Sequence, residues 1–316
     1  NGLHKATVQK VNMDNNQRSN IGYLGRASYS YDDRYFFTGS YRRDGASVFG
    51  VNQKWGDFFA FGGAWRLSSE KFMSSISYLD DLKLKLSWGK NGNQGLDPYG
   101  TLSTINNGAS GGVRYEFGGS DIIYGLNQKA LGNANLGWET TESWNTGFES
   151  AWLGSRLFVD LDLYFSKTTD QIFTRDIPVM TGFKNMKSSM GQVNNRGVEL
   201  TIRSVNIDTQ DWYWTTNLTF WLNRNKLIHL YGEDLDGDGR EDDDISNSRF
   251  IGKPLGAIYG YLQDGIVQET DVEYMKANGA TPGIPKYKDM DNDGVITSAD
   301  RIILGYSTPN FKLNMS

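Results

Sequence analysis

Hydrophobic and polar residues alternate along most of this 316-residue chain with a period of two, not 3.6. Over 81–88 the face Leu82, Leu84, Leu86, Trp88 is apolar, and Lys83, Lys85 and Ser87 lie opposite. Over 156–167 Leu157, Val159, Leu161, Leu163 and Phe165 line one face, and Asp160, Asp162 and Ser166, with Phe158 and Tyr164, line the other. Val198, Leu200 and Ile202 alternate with Glu199, Thr201 and Arg203. Trp212, Trp214, Leu218, Phe220 and Leu222 alternate with Tyr213, Thr215, Asn217 and Thr219. Weaker alternation marks 21–31, 35–43, 58–67 and 143–152, and a last strand starts at Asn310. The pattern predicts about eight complete strands of about ten residues, plus that last one. Helical periodicity is nearly absent, with one turn at most around Leu79.

The links between strands alternate short and long. Tyr31–Arg34, 153–155 and 207–211 are short, 68–80 is intermediate, and 44–57, 91–142, 168–195 and 224–309 are longer. Such alternation gathers the long loops at one end of the sheet, as in transmembrane barrels with short periplasmic turns. A soluble sandwich or propeller also alternates along its strands. Three features favour the membrane. Soluble strands average about five to six residues, whereas bilayer-crossing strands need about 9–11. Full charges occupy mid-strand positions on the polar face, which suits a watery lumen. Trp65, Trp88, Trp144, Trp152, Trp212 and Trp214 sit near strand ends, as interfacial girdles do. The expected fold is all-β: an antiparallel transmembrane β-barrel, partial, with long extracellular loops.

Composition narrows the chemistry. With 32 Lys+Arg against 37 Asp+Glu the net charge is -5, which argues against nucleic acid as a partner. Cysteine is absent, removing disulfides, thiolate catalysis and Cys-ligated metals, and His4 and His229 are the only histidines. No apolar run is long enough for a transmembrane helix, and the first residues lack a signal-peptide pattern. Neither point argues against a barrel, since only one face of each strand meets lipid.

The sharpest motif runs from Asp289 to Asp300. Counted from Asp289, acids fall at positions one, three and five (Asp289, Asp291, Asp293), Gly294 at six and Asp300 at twelve. This is the spacing of an EF-hand loop, in which the Val295 carbonyl and Thr297, directly or through water, complete the oxygen ligands. Asp300 stands where a bidentate glutamate is usual. The plain alternative is an acidic turn that binds nothing. A second run, Asp234, Asp236 and Asp238, has Ile245 at its twelfth position, so a solvated loop is expected there. The loop aromatics Tyr99, Tyr115, Tyr124, Trp138, Tyr259, Tyr261 and Tyr274 are expected to pack loops rather than stack on a ligand. Asp160 and Asp162 read as lumen lining rather than a glycosidase pair. The glycines of 108–119 are not followed by the Lys-Ser/Thr of a phosphate loop. No catalytic residue is expected, no cofactor is required, and Ca²⁺ is the one candidate ion.

Several runs have a familiar look when read in order. They are Ser40–Ser47 with Lys54-Trp55-Gly56 and Ala64–Ser68, then Leu79–Gly89 with Asn91–Gln94. Leu131–Glu142 follows, with Ala134 where proline is usual, and then Thr181-Gly182-Phe183 and Gly191–Leu200. Gly260–Ile266, Lys286–Asp289 and Gly305–Phe311 close the series. Together they resemble the SusC/RagA family of TonB-dependent outer-membrane transporters. The resemblance implies a barrel of about 22 strands with a plugged lumen, of which residues 1–316 supply about eight or nine. It makes 224–309 an extracellular loop region with acidic turns, and leaves the plug domain and closing strands outside this sequence. It further implies import of an oligosaccharide or peptide across the Gram-negative outer membrane. The TonB complex drives it through the plug, and a SusD-like surface lipoprotein forms the lid. The competing reading is a secreted, calcium-stabilised all-β glycan-binding protein.

Overall fold

The computed structural model describes residues 15–107, 114–116, 122–183 and 185–316. The side chains of Tyr115 and Tyr124, the glycines of 108–119, His4 and the first ten residues lie outside the described residues. In chain order the strands begin with β1 (Asn20–Tyr31), β2 (Tyr35–Ala46), β3 (Trp55–Arg66) and β4 (Leu79–Asn93). Four short ones follow: β5 (Thr104–Asn107), β6 (Arg114–Glu116), β7 (Ile122–Tyr124) and β8 (Leu126–Ala130). Four long ones come next: β9 (Glu139–Trp152), β10 (Leu157–Asp176), β11 (Asn185–Asp208) and β12 (Tyr213–His229). The remainder are β13 (Ala257–Tyr261), β14 (Gln263–Ile266), β15 (Pro285–Tyr287), β16 (Arg301–Tyr306) and β17 (Phe311–Met315).

Nine of these form one antiparallel sheet in the order β1-β2-β3-β4-β9-β10-β11-β12-β17, each strand beside the one before it among the long strands. The register fixes both faces. A hydrogen-bonded row runs Tyr35, Trp65, Leu84, Phe148, Leu161, Leu200, Phe220, Leu313. The next row on that face holds Leu86, Leu163, Val198, Leu222 and Phe311. The strands therefore agree, and the apolar positions read from the sequence merge into one belt. That belt is bare. Phe61 is 57% exposed, Leu86 54% and Phe311 59%, and no second layer covers them among the described residues. A soluble sandwich would pack such rows against another sheet. Lipid is the solvent that accepts them.

The stagger of the strands gives their tilt. In the row just named, Tyr35 is the first residue of β2, Leu161 the fifth of β10 and Phe220 the eighth of β12. If the short-turn ends share one level, the shift is seven residues of about 3.4 Å across six interstrand steps of about 4.8 Å. The strands then lean by about 40°, within the range of membrane barrels. Aromatic residues follow the same slope at the short-turn end. Tyr31 stacks on Tyr35, Tyr35 on Trp65 and Tyr78 on Trp152.

The opposite face is polar and tolerates close approach only where side chains are small. Tyr164 lies across Gly197 and donates its hydroxyl to Asn223 Oδ1 at 2.9 Å. A Cβ at 197 would sit 2.4 Å from the Tyr164 ring, so glycine is required there.

Three expectations need correction. First, the link 168–195 is mostly strand: β10 and β11 pair out to Asp176 and Asn185. Beyond the belt the ribbon no longer meets lipid, and the adjacent Ile172 and Phe173, on opposite faces, pack into two separate loop clusters, so apolar alternation stops while the ladder continues. Second, the outer links are not featureless. The region 224–309 begins with the end of β12 and holds the pairs β13–β16 and β14–β15 and one helix, α1 (Val272–Asn278). Between β4 and β9 the pairs β5–β8 and β6–β7 form two further ladders. Third, the alternation of links is loose. The stretch 67–78 at the short-turn end carries two 3₁₀ turns, Leu67–Ser69 and Lys71–Met73, while the outer link 47–54 is shorter. Glu70 anchors those turns by accepting from Tyr35 Oη at 2.8 Å and Trp65 Nε1 at 3.1 Å. Leu79 itself opens β4 and is not helical.

Among the described residues, two buried apolar clusters form where the loops fold back. Ala46, Val48, Phe49, Leu96 and Leu136 form one, with Trp138 and Ile172 against it. Phe173, Val193, Leu227 and Leu230 form the other, closed by Tyr231, Ile251 and Leu255. A charge in mid-belt tests the assignment. Leu161→Arg should lower folding stability in vesicles by about 2–4 kcal/mol. Thr201→Arg, on the polar face, should cost about 0.5 kcal/mol or less, with unfolding followed by heat-modifiable gel mobility.

Candidate functional site

The polar face carries a ladder of charges across three neighbouring strands. Lys83 Nζ donates to Glu149 at 2.8 Å. Lys85 Nζ donates to Asp160 at 2.9 Å and Asp162 at 3.1 Å, and lies 3.2 Å from Glu149. Register explains the meeting: Lys83 opposes Glu149, Lys85 opposes Gly147, and Asp160 and Asp162 oppose those two residues from the far side. Because residue 147 has no side chain, Lys85 reaches over it to two strands at once. Further along the same face Arg203 lies 4.4 Å from the Phe158 ring centre, and Lys312 lies over Trp221. Exposed pairs of this kind add little stability each. Their effect is to line a water-filled bore with fixed charge of both signs. The alternation identified most of these residues but not Glu149, whose partner is 66 residues away.

The Asp289 loop closes as its spacing predicts. The Asp289, Asp291 and Asp293 carboxylates lie within 4.8 Å of one another. Gly294 takes φ 86°, which gives the bend. Asp289 accepts the N–H groups of Asn292 at 2.6 Å and Gly294 at 2.7 Å, and Asp293 accepts that of Val295 at 2.7 Å. Asp300 is fully buried and ties the two ends together, accepting Met290 N and Thr297 N, each at 2.7 Å. Thr297 in turn accepts Ala299 N at 3.2 Å, starting a 3₁₀ turn. The Thr297 and Met290 N–H groups hold the Asp300 carboxyl below its ordinary value. The Asp293 N–H lowers the Asp291 carboxyl, but burial and the Asp293 and Asp300 charges outweigh it and leave it raised.

The second acidic run folds likewise. The Asp234, Asp236 and Asp238 carboxylates also converge within 4.8 Å. Asp234 accepts from Gly237, Asp238 and Gly239. Ile245 at the twelfth position offers no carboxylate, and this loop, exposed at all three acids, is tied by Asp242. Its carboxylate, three positions earlier, accepts Leu235 N at 2.7 Å, the role Asp300 plays for Met290.

Beside it, Arg249 donates to Thr174 O at 3.2 Å, Tyr231 Oη at 2.9 Å and Asp244 at 3.1 Å, and stacks on Phe173. Burial, followed by the Asp244 charge, pushes the Tyr231 hydroxyl up to about 12. This cluster locks the loop onto the outer end of β10. Of the loop aromatics, Trp138 packs on Phe49 and Phe58, Tyr259 on Phe250, and Tyr261 on Tyr287. Tyr274 Oη accepts Tyr287 N, and Tyr99 stays exposed. Most are packing residues.

A tilted sheet with a bare apolar belt, a charged inner face and elaborated loops at one end defines an architecture, and sequence comparison names it. A family profile described as TonB dependent receptor-like, beta-barrel, matches residues 4–313. The chain belongs to this family. This TonB-dependent receptor segment is 31% identical over 308 residues to TonB-dependent receptor P3 of Formosa agariphila, covering 95% of this chain and 30% of that protein. It is 30% identical over 312 residues to TonB-dependent receptor SusC of Bacteroides thetaiotaomicron, covering 95% of this chain and 30% of SusC. The segment thus spans about 30% of the length of these curated relatives. In fold it is similar to a chain in the structure of the RagAB peptide transporter, with TM-score 0.73, 23% identity, and coverage of 94% of this chain and 31% of that one. As a TonB-dependent barrel of the SusC and RagA type it resides in the outer membrane.

The lowered Asp300 carboxyl stabilises its loop above the ordinary aspartate range, and that contribution is lost as pH falls through the lowered value. Protease resistance across 285–305 should therefore persist at about pH 4 and collapse below it. Asp300→Asn should weaken resistance at neutral pH and flatten this dependence, which limited proteolysis with mass mapping measures.

Proposed function

We infer that the chain forms wall and outer loops of an importer that carries a large nutrient, an oligosaccharide or a peptide, across the outer membrane. The observation that carries this reading is the opposition of faces, a bare belt outside and the Lys83–Lys85–Glu149–Asp160–Asp162 ladder inside. A wall wetted on its inner face by charges of both signs suits polar cargo. RagAB is a peptide transporter, and SusC is a relative in sequence, so both cargo classes enter the test. The partners are a SusD-like surface lipoprotein as lid and the TonB complex as energy source. This segment acts through lining and lid-facing loops, with no catalytic step.

The Asp289 loop is a calcium staple within that outer region. Asp289, Asp291, Asp293, the Val295 carbonyl, Thr297 and Asp300 offer oxygen alone, the donor set calcium prefers. The crowding that raises the Asp291 carboxyl is the repulsion a divalent cation relieves. Outside the cell, millimolar affinity suffices for a structural ion.

Two measurements test this. Deleting the protein should abolish uptake of labelled glycans or peptides too large for porins, and a protonophore should do the same in the parent. Uptake that survives both treatments refutes the transporter reading. Added Ca²⁺ should slow cleavage within 285–305, and Asp293→Ala should cancel that protection. Cleavage that is indifferent to chelator refutes the staple.

A further inference from the structure

The outward face carries a group of cations that the import reading does not use. Lys167 on β10, Arg196 on β11 and Arg224 and Lys226 on β12 share the parity of Leu163, Val198 and Leu222, the lipid-facing residues below them. Arg196 and Arg224 stand directly opposite each other in register. Lys167 and Lys226 flank Asn194, one on each side, in the adjoining pair of rungs. Arg196, Arg224 and Lys226 are exposed and Lys167 half-buried. None of the four makes an ion pair among the described residues. Arg224 donates only to the backbone carbonyls of Asn223 and Asn310. The nearest carboxylate in register is Glu142, opposite Lys167, and it accepts Trp88 Nε1 at 2.8 Å instead.

Their height is the decisive feature. Lys167 lies ten residues from the start of β10, Arg224 and Lys226 eleven and thirteen from the start of β12, and Arg196 twelve from the end of β11. At about 3.4 Å per residue and the tilt of about 40°, these positions stand about 26–34 Å above the short-turn ends. The apolar band of an outer-membrane barrel is about 25 Å tall. Three strands thus place cations within a zone about 8 Å high, at the rim where acyl chains give way to head groups on the long-loop side.

Like charges opposite one another on a sheet destabilise it unless an anion lies between them. The contrast with the other rim is sharp. There Arg34 meets Asp32 and Glu70, Arg66 meets Asp81, and Arg156 is taken up by the carbonyls of Val205 and Asn206. On the outer rim of β1–β3, Arg43 is paired with Asp57. A chain of net charge -5 therefore leaves four unpaired cations together in one narrow zone on its lipid-facing side.

We propose that Lys167, Arg196, Arg224 and Lys226 form a binding site for the phosphate groups of a phosphorylated lipid in the outer leaflet. The two guanidinium groups suit forked contacts to phosphate oxygens, and the lysines add point charges at the edge. The acyl chains of such a lipid lie on the Leu163, Val198 and Leu222 row immediately below. The site rests on the membrane orientation of the barrel and is independent of which nutrient is imported.

The test uses the complete membrane-inserted protein in nanodiscs, with lipid A bearing both phosphates, lipid A stripped of them, or inorganic phosphate alone. Retention by native mass spectrometry and thermal stabilisation should appear with the phosphorylated lipid only. Each cation removed should weaken retention about five-fold, so Arg196→Gln with Arg224→Gln should reduce it about 25-fold. Lys167→Gln with Lys226→Gln gives a second, independent pair if the first does not reach a heat-modifiable fold. Arg34→Gln, at the opposite rim, should leave retention unchanged. Equal binding of stripped lipid A, full retention in the Gln variants, or the same stabilisation by inorganic phosphate would overturn the proposal.

Discussion

Nothing in hydrocarbon can satisfy a peptide group except another peptide group. That constraint organises this chain from Asn20 to Met315. It requires that every long strand pair along its crossing length with the strand before and after it, and the meander β1 to β17 does so with few interruptions. Once the ladder is fixed, side-chain parity is fixed too. The leucines of β4, β10 and β12 then share one surface although the sequence separates them by dozens of residues. The inner charges are brought together by the same registers, so the cross-strand Lys85 cluster follows from backbone pairing rather than from attraction between its members.

Where the ladder leaves the membrane, a different economy takes over. Water is available to the backbone, apolar side chains no longer have lipid to dissolve in, and small buried clusters appear. One gathers around Phe49 and Leu136, the other around Leu227 and Leu230. The second is sealed by Arg249, which stacks on Phe173 and donates to Tyr231 Oη. The outer region is therefore a set of small folded units standing on the wall, not a fringe of coil.

The legible part of the sequence was the part that lipid touches. Leu157 to Phe165 alternates because one face must be apolar, and the reading of that stretch stands. Thr168 to Asp176 also pairs with Asn185 to Val193, through bulges near Asp170, yet it carries no periodic mark because Ile172 and Phe173 pack into loop clusters on opposite faces instead of one face meeting lipid. The acidic loop around Asp289 was legible for a separate reason, since converging oxygens at fixed offsets leave a pattern that does not depend on the fold. Its neighbour around Asp234 is an exposed loop, and the tie that Asp242 makes to Leu235 N leaves no such pattern in the sequence. Glu149 was invisible for want of register, which no single strand encodes.

The lean of the strands, taken with their strict pairing, has a consequence for how such a wall can change over generations. Adding or removing one residue inside a crossing segment exchanges inside for outside along everything that follows it. Adding or removing two keeps every side chain on its own side and merely slides the segment by about 7 Å along its axis. Insertions within the wall should therefore come in even numbers, and odd ones should be confined to the turns or absorbed by a bulge such as that beside Asp170.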